Sequence, residues 1–142
     1  SSDLVSDYLN KKSGLIGLSG YSSNLGEIIE AAEQGDKNCE LAFRTYVHRL
    51  RGYIGAFLYE LNGADALIFT DDAGVKYKKM REAVCADTEF MGIHLDPAKN
   101  NACDKISETR ISADDSRMQI WVIPTNEERT IFNEIRSLEC EA

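Results

Sequence analysis

The stretch that most constrains this chain runs from Asp65 to Arg81, DALIFTDDAGVKYKKMR. Ala66, Leu67, Ile68 and Phe69 form a short unbroken apolar run that stops at Thr70. A run of that length and continuity predicts a strand covered on both faces, as in an α/β sheet. Asp71, Asp72, Ala73 and Gly74 follow as turn and cap formers, and helix formers resume from Lys76 to Arg81. Strand, tight acidic turn and helix in that order direct attention to the carboxyl end of the strand. In open α/β sheets ligands collect there, because the first backbone N–H groups of the next helix face outwards.

The same pattern recurs near the other end of the chain. Ile120, Trp121, Val122 and Ile123 make a second buried apolar run, stopped by Pro124, and a helix is expected over Asn126 to Leu138. Thr125 and Glu128 have capping-box spacing, which occupies Glu128 and leaves Glu127 without a local partner. Two readings of Glu127 stand side by side. It favours the positive end of the helix dipole, or it reaches a metal ion such as magnesium, which takes few carboxylates and keeps several waters.

Further helical and extended stretches lead up to and separate these junctions. Ser2 to Lys12 reads as a helix, with Leu4, Val5, Tyr8 and Leu9 on one face and Gly14 beyond its end. The glycine-rich SGLIGLSGYSS that follows reads as a surface or interface loop, since it has neither GxGxxG nor GKS/GKT spacing. Ser22 to Gln34 is a helix with an Asn24 to Glu27 cap pair, closed by Gly35. From Asp36 to Asn62, Cys39, Phe43, Val47, Leu50, Ile54, Phe57 and Leu61 recur at steps of three and four. That stripe predicts one helix of about 39 Å, long enough to cover a sheet or cross a subunit boundary. A helix from about Val75 to Val84, a short strand over Gly92 to Leu95, a mobile polar stretch over Asn100 to Asp104 and an edge strand within Lys105 to Ser112 complete the expectation. His48 and His94 stand alone and read as neither metal ligand nor general base, and the helical row Tyr46, Tyr53, Tyr59 reads as core or interface.

Composition narrows the classes. With 142 residues, 43% hydrophobic and 28% charged, the chain is expected to form one domain over residues 1 to 142. The 24 acidic against 16 basic residues give a formal charge of -8. That balance argues against a general nucleic-acid partner, which requires clustered Lys and Arg. No stretch approaches the ~20 apolar residues of a membrane span and the first residues lack a signal-peptide pattern, so a cytoplasmic location and no membrane partner are expected. Cys39, Cys85, Cys103 and Cys140 are far apart, form no CxxC pair, and read as reduced thiols.

Several segments, in order, resemble the carboxy-terminal part of the acetate kinase family, within the actin-like sugar kinase and heat-shock ATPase superfamily. LNKKSGLIGLSG is similar to the family's LNKKSGLLGLSG, and SSNLGEIIEAAEQGD follows as a serine-led helix. RLRGYIGAFLYELNGADALIFT, REAVCADTEFMGIHLD and SRMQIWVIPTNEE resemble the long helix and strand, the following block, and the closing strand and helix start. The resemblance implies part of an actin-like, ribonuclease H-like ATPase domain, a short mixed sheet packed by the long helix and shorter helices. It implies phosphoryl transfer between ATP and acetate, giving ADP and acetyl phosphate, with Mg2+ as cofactor, in a homodimer. It also implies a magnesium-site role for Glu127 and a nucleotide-lining role for Thr70, Asp71, Asp72, Ala73, Gly74, Val75 and Lys76.

That turn departs from the family pattern TGGIGEN. Thr70 and Gly74 match, whereas both paired glycines are Asp71 and Asp72 and the Glu-Asn pair is Val75 and Lys76. Glycine lets backbone N–H groups approach a ligand, and a carboxylate adds both bulk and charge. A unit charge about 5 Å from a phosphate oxygen costs on the order of 3 kcal/mol at an effective dielectric near 20. Weakened or altered ATP binding is therefore expected, with Lys76 or magnesium offsetting part of the charge, and Asp72 capping the helix as the bland alternative. The family's catalytic arginine lies upstream of LNKKSG, so no catalytic residue is assigned within this chain, which is expected to be an inactive fragment by itself. An enzyme using another donor such as pyrophosphate, and a non-catalytic dimerisation or regulatory domain, are the rival readings.

Overall fold

A computed structural model describes residues 2–125 together with 131–132 and 135–136. The amino-terminal half is helical: α1 (Ser2–Lys11), α2 (Gly14–Ser19), α3 (Leu25–Glu33) and α4 (Lys37–Glu60). Local chemistry sets these limits. The Asn24 side chain accepts from the amides of Gly26 and Glu27, and Asp36 accepts from the amide of Cys39, satisfying donors that the first turns of α3 and α4 leave open. Gly35 separates the two helices at φ +95°, a conformation that costs a glycine little. The segment expected as a loop after α1 instead forms α2, because Leu15 packs against the Ile28, Cys39 and Ala42 cluster of α3 and α4, and that burial outweighs its glycine content.

β1 (Ala66–Phe69) leads directly into α5 (Asp71–Lys76) and α6 (Lys78–Val84), followed by a 3-10 turn (Glu89–Met91), α7 (Pro97–Ala102), β2 (Thr109–Arg110) and β3 (Gln119–Val122). The sheet is mixed and runs β1-β3-β2, with β3 parallel to β1 and antiparallel to β2. The mixed α/β architecture with a short sheet under one long helix is the expected one. Ile28, Cys39 and Ala42 bury a small cluster between α3 and α4, whereas Phe69, Val75, Met80, Val84, Ile93, Ile111, Ile120 and Val122 fill the main core between sheet and helices.

Other expectations are corrected. β1 is an edge strand among the described residues, and Ile68 is 51% exposed, so it is not covered on both faces. The helix expected from Val75 to Val84 is broken at Tyr77, whose backbone sits at φ -107°, ψ 88°. Gly92 to Leu95 contributes isolated bridges, Ile93 to Met118 and Leu95 to Ser112, and the predicted edge strand shortens to Thr109–Arg110. The polar stretch from Asn100 begins inside a helix: Asp96 caps α7 with Pro97 in its first turn, and Asn100 is buried while Asn101, Ala102 and Asp104 are exposed. The stripe on α4 is buried at Cys39 and Val47 but exposed at Phe57 and Leu61. Of the expected last helix, residues 131–132 and 135–136 are helical and the rest lies outside the described residues.

Candidate functional site

The site begins where two parallel strands end together. Phe69 pairs with Val122 in register, and the Ile123 amide donates to the Phe69 carbonyl over 2.9 Å. The chain therefore leaves β1 at Thr70 and β3 at Ile123 as neighbours, as the ligand-site argument from the two apolar runs requires. Thr70 is extended at φ -137° and precedes α5 without a side-chain cap bond. Thr125 is exposed just beyond β3. Glu127, the candidate metal ligand, and Glu128, its neighbour in the expected cap, lie outside the described residues.

The acidic turn is the first turn of a helix rather than a separate loop. Asp71 opens α5 at φ +59°, a left-handed conformation that L side chains adopt at a cost and glycine adopts freely. Asp72 does not cap the helix. Its Oδ2 lies 2.6 Å from Lys76 Nζ, one turn on, an exposed pair that raises the Lys76 pKa through that hydrogen bond first. Of the two aspartates that stand where the resemblance places glycines, one thus has an intrachain counter-ion.

Gly74 and Val75 are buried against the end of β1. A Cβ added at Gly74 would lie 3.1 Å from the Phe69 carbonyl carbon and 3.3 Å from its Cα. Glycine here lets α5 close onto the strand end, and the Phe69 backbone with its Cβ would have to give way. Ala73 is half-buried against the core, and Lys76 faces solvent. The seven predicted positions from Thr70 to Lys76 thus form one continuous cap and short helix at the carboxyl end of β1.

Beside them runs a groove of about 250 Å³ between α4, β1 and α5, lined by Tyr46, Leu50, Ile54, Phe69, Thr70, Asp71 and Gly74. Its floor is apolar and its acidic group is Asp71. Tyr46 is half-buried, and burial first, then the Asp71 charge, raises its phenol pKa. The sequence reading placed Tyr46 in a generic aromatic row and missed that it faces the turn. A larger opening of about 450 Å³ lies at the amino ends of β1 and β3, between Asn62, Asp65, Met91 and Arg117. It is remote from both strand-to-helix junctions, so the smaller groove is the better candidate.

Magnesium takes oxygen donors, one or two of them carboxylates, and keeps several waters. Among the described residues no group of three or more His, Cys, Asp or Glu side chains is placed to hold a metal ion, and Asp72 is already engaged by Lys76. The described donors alone do not fit a metal site.

The sequence pattern of the Acetokinase family matches residues 1–133. The chain is 46% identical over 130 residues to an acetate kinase of Dictyoglomus turgidum, covering 92% of this chain and 32% of that protein. Its fold superposes on the crystal structure of Porphyromonas gingivalis acetate kinase with a TM-score of 0.87 at 37% identity, over 96% of this chain and 34% of that one. It also superposes on a propionate kinase from Francisella tularensis with a TM-score of 0.79 at 32% identity, over 90% of this chain and 32% of that one. The chain spans about a third of the length of the relatives it matches. With pattern, relatives and fold in agreement, and with the small mixed sheet belonging to the actin-like fold of those kinases, this chain belongs to the acetokinase family.

Proposed function

We propose that this chain is the carboxy-terminal third of an acetate kinase-like phosphotransferase and forms a single domain over residues 1 to 142. In the whole enzyme a carboxylate oxygen of acetate attacks the γ-phosphorus of ATP. The new O–P bond forms as the bond to the β,γ-bridging oxygen breaks, yielding acetyl phosphate and ADP. Such chemistry depends on placing and neutralising phosphates rather than on a protein nucleophile.

The observation that carries this reading is the pair of parallel strands ending side by side at Thr70 and Ile123, within a chain that matches the family from residue 1 to 133. Thr70 to Lys76 supplies one wall of the nucleotide site, with Tyr46 opposite Asp71. Glu127 is the carboxylate proposed to serve magnesium. A cytoplasmic location and a homodimer complete the proposal. No helix among the described residues is long and apolar enough to cross a membrane. Exposed Leu4, Val5, Tyr8 and Leu9 on α1, and Tyr53, Phe57 and Tyr59 on α4, leave apolar surface that suits cover by the rest of a larger protein or a second subunit.

The test compares acetyl phosphate formation by the 142-residue chain and by the whole protein, with ATP, ADP and pyrophosphate as separate arms. The whole protein is expected to turn over with ATP and acetate and the chain alone to show none. Turnover by the isolated chain, or none by the whole protein, contradicts the reading.

A further inference from the structure

Arg81 is 2% exposed, yet no salt bridge to a carboxylate is formed by it among the described residues. Its Nη1 donates to the carbonyls of Gly74 at 2.8 Å and Val75 at 2.9 Å, and its Nε donates to Asn100 Oδ1 at 2.7 Å. Asn100 is itself buried and donates through Nδ2 to the Lys78 carbonyl and to Glu82 Oε1, each at 3.2 Å. A buried charge costs stability unless its donors are filled, and here backbone oxygens and one amide fill them.

The reason for this arrangement lies in the break at Tyr77. A continuous helix would bring the amides of residues 78 and 79 to the carbonyls of Gly74 and Val75. The break interrupts that ladder and leaves two buried acceptors at the end of α5. One guanidinium satisfies both and places a positive charge at the negative end of α5. Asn100, on α7, fixes the guanidinium from the far side, and Lys99 beside it ties α7 to the Ser112 carbonyl and to Asp114. The path of Thr70 to Lys76 is thus set from behind by α6 and α7.

We propose that Arg81, held by Asn100, is a positioning residue that fixes the backbone of the turn from Thr70 to Lys76 for nucleotide. This rests on the reading of that turn as the nucleotide wall. The clamp touches no substrate, and its effect is on the placement of the α5 amides and the groove beside them.

The experiment measures nucleotide Kd, together with KM for ATP and for acetate, on the whole protein with Arg81→Lys, Arg81→Ala and Asn100→Ser. The variants are expected to weaken ATP and ADP about tenfold or more while KM for acetate stays within about twofold, because small displacements of positioning groups act locally. Millimolar guanidinium is expected to restore nucleotide affinity to Arg81→Ala. If Arg81→Ala does not fold, Asn100→Ser carries the test by loosening the guanidinium without removing it. Folded variants with unchanged nucleotide affinity, or with ATP and acetate weakened by the same factor, overturn the proposal. A wild-type protein that binds neither ATP nor ADP overturns the functional reading, and the clamp's role in nucleotide binding with it, a result distinct from intact wild-type binding that the variants leave unchanged.

Discussion

The Ile123 amide donates to the Phe69 carbonyl over 2.9 Å, closing the parallel pair one residue beyond its last register position, Phe69 with Val122. This bond holds the two strand ends together at the point where both chain segments turn towards the candidate site. Ile123→Pro removes the donor and is expected to destabilise the fold by about 1–3 kcal/mol, whereas Ile123→Val costs about 0.5–1.5 kcal/mol. Chemical denaturation of both variants checks this. Equal effects would show that the rung does not hold the strand ends.

Two glycines offer a contrast in what surrounds them. A methyl at Gly74 meets the Phe69 backbone at 3.1 Å, which cannot move without disturbing the strand end. A methyl at Gly26 meets the far end of the Tyr77 ring at 2.7 Å, which swings aside at little cost because its bond to Asn24 is 3.5 Å long. Gly74→Ala is expected to lower stability by about 1–3 kcal/mol and to weaken nucleotide binding, and Gly26→Ala to do less of both. Thermal unfolding of the two variants measures the difference.

Acid is expected to unfold the chain through its caps. Asp36 is held below its ordinary pKa of 3.8 mainly by the Cys39 amide, Asp96 by the Lys99 amide, and Asp104 by the amides of Ser107 and Ile106. A folded-state pKa below the unfolded one contributes stability that is fully present above 3.8 and lost as pH falls through the lowered value. Melting temperature is therefore expected to hold from neutral pH down to about 5 and to fall below about 4. Asp36→Asn retains a cap acceptor but not the charge, and it is expected to flatten part of that fall.

The thiols differ in reactivity for a physical reason. Burial pushes the Cys85 pKa up to about 12, and Cys39 is raised first by burial and then by the Asp36 charge. Cys103 is only partly buried. Alkylation of the native protein is expected to modify Cys103 well before Cys85 or Cys39, since the thiolate is the reactive form. Peptide mass mapping over time gives the order, and early loss of Cys85 would contradict its burial at the carboxyl end of α6.

Much of the architecture was legible because local chemistry and periodicity agree. Asp36 and the stripe through Val47 announce α4, Asn24 announces α3, and the runs at Ala66 and Ile120 announce β1 and β3. α2 was not legible, since Gly14, Gly17 and Gly20 mask a helix that packing enforces. α7 carried its signal openly, a capping Asp96 followed by Pro97, but that pair also ends strands. The break at Tyr77 and the clamp by Arg81 leave no local mark. Their partners are backbone carbonyls and an asparagine 19 residues away, and spacing carries no trace of either.

The two carboxylates at the strand end are expected to lower affinity for nucleotide unequally. Asp72 is paired with Lys76, whereas Asp71 lines the groove in a left-handed conformation suited to glycine. Calorimetric titration of the whole protein with ATP and magnesium, comparing wild type with Asp71→Gly and Asp72→Gly, separates the two. Asp71→Gly is expected to tighten binding about tenfold or more and Asp72→Gly to change it less than about threefold. Equal or weaker binding in Asp71→Gly would show that the Asp71 carboxylate does not oppose nucleotide.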